Sequence, residues 1–198
     1  MAVDINSIKR LKNLTGVGLT DAKLALEQSK GDFDLALKEM RKKGLTKAEK
    51  RSEREARQGL IGNYNHDNRI GVIVEVNCET DFVARNEIFI NLVKDIAMHI
   101  AAINPSFLSP KDVDQQTLTN LKDEYKAKAI ADNKPANMID NIVEGQLKKY
   151  FEEKCLLNQS FVKNPDQTIE QLVKEHIAKL GENIIIKRFY RLALGEIN

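Results

Sequence analysis

Ile70-Gly71-Val72-Ile73-Val74-Glu75-Val76-Asn77-Cys78 runs straight into Glu79-Thr80-Asp81-Phe82-Val83-Ala84-Arg85-Asn86. Ile70 to Val76 is rich in β-branched residues, whose crowded Cβ atoms favour an extended backbone. The stretch predicts a strand that Cys78 ends. A short polar connection then leads into an amphipathic segment. Thr80 can cap a helical turn there, and Asp81 favours the positive end of that turn. Phe82 is then a large apolar side chain on a short connection at the edge of a sheet. Two readings of it are open. The ring can fold inward and fill the core, or it can protrude as an anchor for a partner, with Asp81 beside it competing for polar groups.

Upstream, the period changes from helix to strand at Gly59. Leu60, Ile61 and Tyr64 mark a strand, and Asn65, His66, Asp67 and Asn68 mark the turn that returns the chain to Ile70. Downstream, Phe89, Leu92, Val93, Ile96, Ala97 and Ile100 form an apolar stripe on a helix from about Glu87 to Ile103, and Pro105 marks its end. Asp112 to Lys154 reads as two helices joined near Asn133-Lys134-Pro135. Leu118, Leu121 and Tyr125 mark one apolar face, and Ile139, Ile142, Val143, Leu147 and Tyr150 the other. An antiparallel hairpin projecting from the core fits this pattern. Phe161 and Val162 form a short segment before Pro165. Thr168 can cap a last helix carrying Ile169, Leu172, Val173, Ile177 and Leu180, which Gly181 stops. Ile184 to Leu194 reads as a final strand.

The N-terminal residues read as three short helices. Asp4 caps the first, with Ile5, Ile8 and Leu11 on one face, and Gly16 and Gly18 break it. Thr20 can cap the second, bearing Ala22, Ala25 and Leu26, which Gly31 stops. Asp32 starts the third, with Phe33, Ala36, Leu37 and Met40 at helical spacing, and Gly44 is expected to stop it. Helices this short do not persist alone, so they must pack on one another. The expected fold class is α+β. A three-helix module spans 1–45, a charged helical linker 46–58, and a core domain 59–198. The core is a small antiparallel sheet packed with helices, with the helical hairpin inserted at about 112–154.

Of the 198 residues, 42% are hydrophobic and 30% charged, enough apolar material for a packed core. The net charge of +2 argues against a general polyanion binder. Basic residues do gather between Lys38 and Arg57, among them Lys42, Lys43, Lys50, Arg51 and Arg54. Glu39, Glu49, Glu53 and Glu55 interleave them. A solvated helical linker and a nucleic-acid strip are the two readings of that segment, and the glutamates weaken the second. Met1 to Asn13 alternates polar and apolar residues, so no secretory signal is expected. No stretch approaches the roughly 20 apolar residues of a membrane span. A reducing, cytoplasmic setting is the default expectation.

Chemistry-bearing constellations are thin. His66, His99 and His176 are far apart in sequence, and none has an evident acidic or nucleophilic partner. His99, beside an apolar stripe, reads as a packed or half-exposed histidine rather than a ligand. Cys78 and Cys155 lack metal-ligand spacing. Cys78 has no base near it in sequence and reads as a buried strand cysteine. Gly16 and Gly18 lack the Lys-Ser/Thr ending of a phosphate loop. No enzyme activity, cofactor or metal is expected. A ribosome- or RNA-binding adaptor using Lys38–Arg57, and a peptide-binding scaffold using the N-terminal helices alone, are the alternatives to a protein that works by binding.

Four blocks resemble the elongation factor Ts family. They are Leu11-Lys12-Asn13-Leu14-Thr15-Gly16-Val17-Gly18-Leu19-Thr20-Asp21-Ala22-Lys23; Gly62-Asn63-Tyr64-Asn65-His66 with Arg69-Ile70-Gly71; Val76 to Ala84; and Lys179-Leu180-Gly181-Glu182-Asn183-Ile184 to Arg188. They occur in family order and span nearly the whole chain. The resemblance implies a ubiquitin-associated-like three-helix module, a core domain and a helical hairpin. It implies elongation factor Tu as partner and release of its GDP as function, with no direct nucleic-acid or membrane contact. The chain looks like the short form of the family, which implies a homodimer through the core sheet and a two-to-two assembly. By resemblance, Asp81 and Phe82, flanked by Thr80 and Val83, push between helices of the partner's nucleotide domain near its magnesium site. Lys12 and Leu19 are expected to touch the same domain. His66 is expected to face the partner away from the nucleotide. Lys12 stands where the family usually has arginine, which removes a planar forked donor. Leu19 and Thr20 stand in place of a methionine pair, so one apolar contact becomes polar.

Overall fold

The structure, a computed structural model, describes residues 4–15 and 18–196. Its elements in chain order are α1 (Ile5–Thr15), α2 (Leu19–Gln28), α3 (Phe33–Glu49), β1 (Gln58–His66), β2 (Ile70–Cys78), α4 (Asp81–Ala84), α5 (Glu87–Ile103), α6 (Gln115–Ala131), α7 (Ile139–Lys154), β3 (Ser160–Phe161), β4 (Asn164–Thr168), α8 (Ile169–Leu180) and β5 (Ile184–Ala193). Helices and a small antiparallel sheet make it an α+β chain. It divides into two compact units, one made of the chain up to Met98 together with Gln171 onward, the other of His99–Glu170.

The first unit is built on a three-stranded sheet of order β1-β2-β5, antiparallel throughout. β2 is central because its β-branched run can bury one face along its whole length. Val72, Val74, Val76 and Cys78 are buried, while Gly71 and Ile73 between them face out, the two-residue alternation of a pleated strand. Asp67 and Asn68 turn β1 into β2 with positive φ angles of 50° and 57°. Short side chains that bond their own backbone tolerate this geometry, and here Asn65 Oδ1 accepts from the Asn68 N–H at 2.8 Å. The strand runs two residues further than the sequence suggests, through Asn65 and His66, which pair with Gly71 and Ile70. Gly62 lets α5 approach the sheet. A Cβ built there would stand 2.3 Å from Val93 Cγ1, so any side chain would drive the helix away. Phe89, Leu92, Val93, Ile96 and Ala97 of α5 are buried, as are Leu172, Val173 and Ile177 of α8.

In the same unit α1, α2 and α3 pack on one another. Ile8, Leu11, Ala22, Ala25, Leu26, Ala36 and Met40 form their common core, with Phe33 and Leu37 packed against it. Asp4 accepts from the Ser7 N–H at 3.1 Å and Asp32 from the Leu35 N–H at 3.0 Å, so both cap as expected. Thr20 does not cap α2. The cap position is Gly18 and the helix already includes Leu19. The expected stop at Gly16 lies outside the described residues.

Gly44 does not end α3, which continues to Glu49. Its φ is not positive, and an interior helix glycine costs only about 1 kcal/mol relative to alanine. Its use is proximity: a Cβ there would meet Ala178 Cβ of α8 at 3.4 Å. The expected solvated helical linker over 46–58 is corrected accordingly. Its start belongs to α3, Ala48 is buried, and residues 50–57 are not helical. The non-helical part is tied down from outside itself. Arg51 Nη1 donates to the Ile177 carbonyl at 3.2 Å, and Asn183 Nδ2 donates to the carbonyls of Ser52 and Arg54 at 3.2 and 2.6 Å.

In the second unit α6 and α7 pack against each other across a connection containing Asn133 at φ 55° and Pro135. Asp114 caps α6 by accepting from the Thr117 N–H at 2.8 Å. β3 and β4 pair antiparallel, and Phe107 bridges Cys155. His99 is completely buried rather than half-exposed. Its Nε2 lies 3.0 Å from Gln159 Oε1, and its Nδ1 accepts from the Val162 N–H at 3.3 Å. Among the described residues, no helix is long and apolar enough to cross a membrane.

Candidate partner-binding site

Cys78, the last residue of β2, pairs with Ile184, the first of β5. Beyond that pair the chains still run side by side, which sets Glu79 and Thr80 against Glu182 and Asn183. Gly181, at φ 81°, turns the chain out of α8 into this position. Two carboxylates then cross over. Glu182 Oε2 accepts from the backbone N–H groups of Glu79 and Thr80 at 3.1 and 3.0 Å, and its Oε1 accepts from the Thr80 hydroxyl at 2.6 Å. In return Glu79 Oε1 accepts from the Asn183 N–H at 2.6 Å. Arg54 Nη1 lies 3.7 Å from Glu79 Oε2. Bonds to a carboxylate are stronger than neutral ones, so this corner is firmly tied although it lies past the end of the ladder.

Having given its proton to Glu182, the Thr80 hydroxyl still has lone pairs. It accepts from the Val83 N–H at 3.4 Å and so caps α4. Residues on a helix are about 100° apart, so Ala84 and Phe82 point in nearly opposite directions. α4 packs on β1 and β2, Ala84 is buried, and the Phe82 ring is 81% exposed. Of the two readings of Phe82, the structure has the outward one. Asp81 Oδ2 pairs with Arg85 Nη2 at 3.1 Å on the same short turn.

Below the turn Cys78 Sγ donates to the Thr80 carbonyl at 3.1 Å. Burial, and then the charge of Glu182, push its thiol up to about 11, so it stays protonated and unreactive at neutral pH. Cys155 is likewise buried and pushed up to about 11 by desolvation. Among the described residues, no group of three His, Cys, Asp or Glu side chains is placed to hold a metal ion.

The structure brings Thr80, Asp81, Phe82 and Val83 onto one turn. Lys12 lies exposed in the last turn of α1, and Leu19 is the half-exposed first residue of α2. His66 is at the far end of the hairpin, paired with Ile70. Eight strand steps separate Ile70 from Cys78, so His66 lies about 26 Å along the sheet from the clasped turn. It stacks on Tyr64 with centroids 6.1 Å apart, and its Nδ1 is 3.3 Å from the Tyr64 hydroxyl. A surface that engages both Phe82 and His66 must therefore cover the length of β2. Glu79, Glu182 and Asn183 are site residues that sequence reasoning does not single out. They fall within two of the blocks that resemble the family, but their role is not legible there, because the bonds that matter join positions 102 to 104 residues apart.

Known proteins share this sequence along nearly its whole length. The profile of the family described as Elongation factor TS matches residues 44–196. The chain is 48% identical to an elongation factor Ts of Thermodesulfovibrio yellowstonii over 99% of this chain and 98% of that one. It is 49% identical to that of Syntrophus aciditrophicus over the same shares. It is 47% identical to that of Geobacter sulfurreducens over 99% of this chain and 91% of the relative.

Proposed function

The chain belongs to the elongation factor Ts family, the guanine-nucleotide exchange factors of translation elongation, and from that premise we propose that Phe82 is the wedge with which it loosens GDP from elongation factor Tu. Exchange makes and breaks no covalent bond. It requires a protein that binds the empty partner better than the loaded one. By linkage, the factor by which GDP weakens this protein's binding is the factor by which the protein weakens GDP binding. The differential energy must come from contacts made fully only with the empty form.

The observation that carries the proposal is an aromatic residue 81% exposed on a short capped turn, where the N–H groups of Glu79, Thr80 and Val83 are bonded. Burying such a ring yields about 2–3 kcal/mol, and holding it in place beforehand avoids ordering costs on binding. Asp81, Thr80 and Val83 form the rim of the same contact. Lys12 and Leu19 supply a second contact to the nucleotide domain, and His66 a third, remote from the nucleotide. The three N-terminal helices act as a ubiquitin-associated-like module, and α6 with α7 as a helical arm. Phe82→Ala should remove about 2 kcal/mol of differential binding and slow GDP release roughly 30-fold at a limiting factor concentration. Stopped-flow mixing with elongation factor Tu carrying fluorescent GDP measures it. An unchanged release rate from a folded variant rejects the wedge.

The homodimer implied for the short form finds support in the outer face of the sheet. Ile61, Ile73, Tyr190 and Leu192 are exposed there. They share that face by register: Ile61 opposes Glu75, Ile73 opposes Tyr190, and Leu192 opposes Gly71. The Glu75–Arg188 ion pair, at 2.7 Å, lies among them. A contiguous apolar sheet face of this kind is the sort of surface a second copy covers.

A further inference from the structure

We propose that Glu182 is a positioning residue for exchange: its carboxylate, bonded to the Glu79 and Thr80 amides and the Thr80 hydroxyl, holds the turn so that Phe82 stands out ready to insert. The inference deepens the wedge role of Phe82 and rests on it. Three of the bonds that fix the turn end on this one side chain, at 3.1, 3.0 and 2.6 Å. The third also orients the Thr80 hydroxyl so that its lone pair meets the Val83 N–H. Without Glu182 that hydroxyl is free to rotate, and two amides lose their acceptor. α4 is a single turn, too short to persist by its own hydrogen bonds. Packing of Ala84 against the sheet holds one side of it, and the cap that fixes its start depends on Glu182.

The reciprocal bond from the Asn183 N–H to Glu79, and the two from Asn183 Nδ2 to the carbonyls of Ser52 and Arg54, do not pass through Glu182. They hold the corner of the sheet together when it is replaced. The loss should therefore be local: a folded protein with a loose wedge. Loosening adds an ordering cost when the ring inserts, and that contact is made fully only with the empty partner, so GDP release slows at limiting and at saturating factor alike.

The test compares wild type, Phe82→Ala, Glu182→Ala and the double variant in GDP release from elongation factor Tu, across factor concentrations. Glu182→Ala should slow GDP release about tenfold, at limiting and at saturating factor concentration alike. Added to Phe82→Ala, it should change little further, because it acts through the ring. The chain has no tryptophan, so Phe82→Trp supplies a single fluorophore on the turn. Its steady-state anisotropy, read without any partner, should fall when Glu182→Ala is added and recover in part with Glu182→Gln, which keeps the length and one acceptor. Thermal unfolding of each variant confirms the fold, and Glu182→Gln serves the kinetic comparison should the alanine variant not fold. Unchanged anisotropy overturns the inference, as does an effect of the same size with and without Phe82. Normal exchange by Phe82→Ala sinks the wedge and this inference together, whereas a slow Phe82→Ala beside a normal Glu182→Ala sinks this inference alone.

Discussion

His99 and His176 are two residues whose surroundings bear on how the fold responds to mild acid. Burial lowers the affinity of the His99 imidazole for a proton, and its Nδ1 already accepts from an amide. A charged ring would have to turn an N–H against that donor. For His176 burial again lowers it most, and the Lys179 charge adds to this, while the Leu172 carbonyl at 2.8 Å and the charge of Asp95 favour the proton. Both folded-state values lie below the ordinary 6.5, so below that pH the unfolded chain binds protons the folded chain refuses. Stability is fully present above 6.5 and is lost as pH falls from there toward the lowered folded values. The slope from each histidine is at most about 1.4 kcal/mol per pH unit. The melting temperature should drop as pH falls below about 6.5, and His176→Gln should remove part of the drop. A flat profile just below pH 6.5 would contradict the lowered proton affinity of the two rings.

At the scale of elements, α3 is the informative case. Its continuation through Gly44 predicts a particular sign. Ala at an interior helix position gains up to about 1 kcal/mol over Gly, and its Cβ would meet Ala178 at an ordinary contact distance of 3.4 Å. Gly44→Ala should therefore raise the urea midpoint. Gly44→Leu should lower it by pushing α3 off α8, at a cost of about 1–3 kcal/mol. Were Gly44 instead a left-handed helix stop, alanine there would destabilise. The sheet offers the opposite glycine. Gly59 has φ 142°, and a Cβ would lie 2.1 Å from the Val76 carbonyl, so there the chain needs glycine for both conformation and space.

For the whole molecule the open surface is the outer sheet face. Placing a charge at its centre opposes pairing with a second copy, because an unpaired carboxylate is costly to bury. The wild-type chain should sediment as a dimer and Ile73→Glu as a monomer, with α4 and its clasp intact since Ile73 points away from them on the exposed side of β2. Identical sedimentation of the two proteins would remove this face as the dimer surface. Two copies joined in this way would each present their own Phe82, which is what a two-to-two assembly with the partner requires.

Periodicity made β2, the α5 stripe, the α6–α7 pair and the closing strand legible in the chain itself, because alternation of apolar residues at two or 3.6 residues is a local property. So were the Asp4 and Asp32 caps and the Gly181 stop, each a matter of a few neighbouring residues. Family blocks made the partner legible as well. Gly44 misled because glycine marks either the end of a helix or a close approach of two, and only the position of α8 distinguishes them. The apolar stripe leaves His99 either packed or half-exposed, because nothing near it in sequence announces Gln159; the structure has it packed. Local sequence leaves Phe82 open for the same reason, since an aromatic ring after a strand can face either way, and only the family resemblance points it outward. Its direction depends on Thr80, Thr80 is held by Glu182, and Glu182 arrives there only because Cys78 pairs with Ile184 across the sheet. Local patterns are encoded in runs of sequence, whereas the aim of one side chain depends on contacts that exist only after distant segments have met.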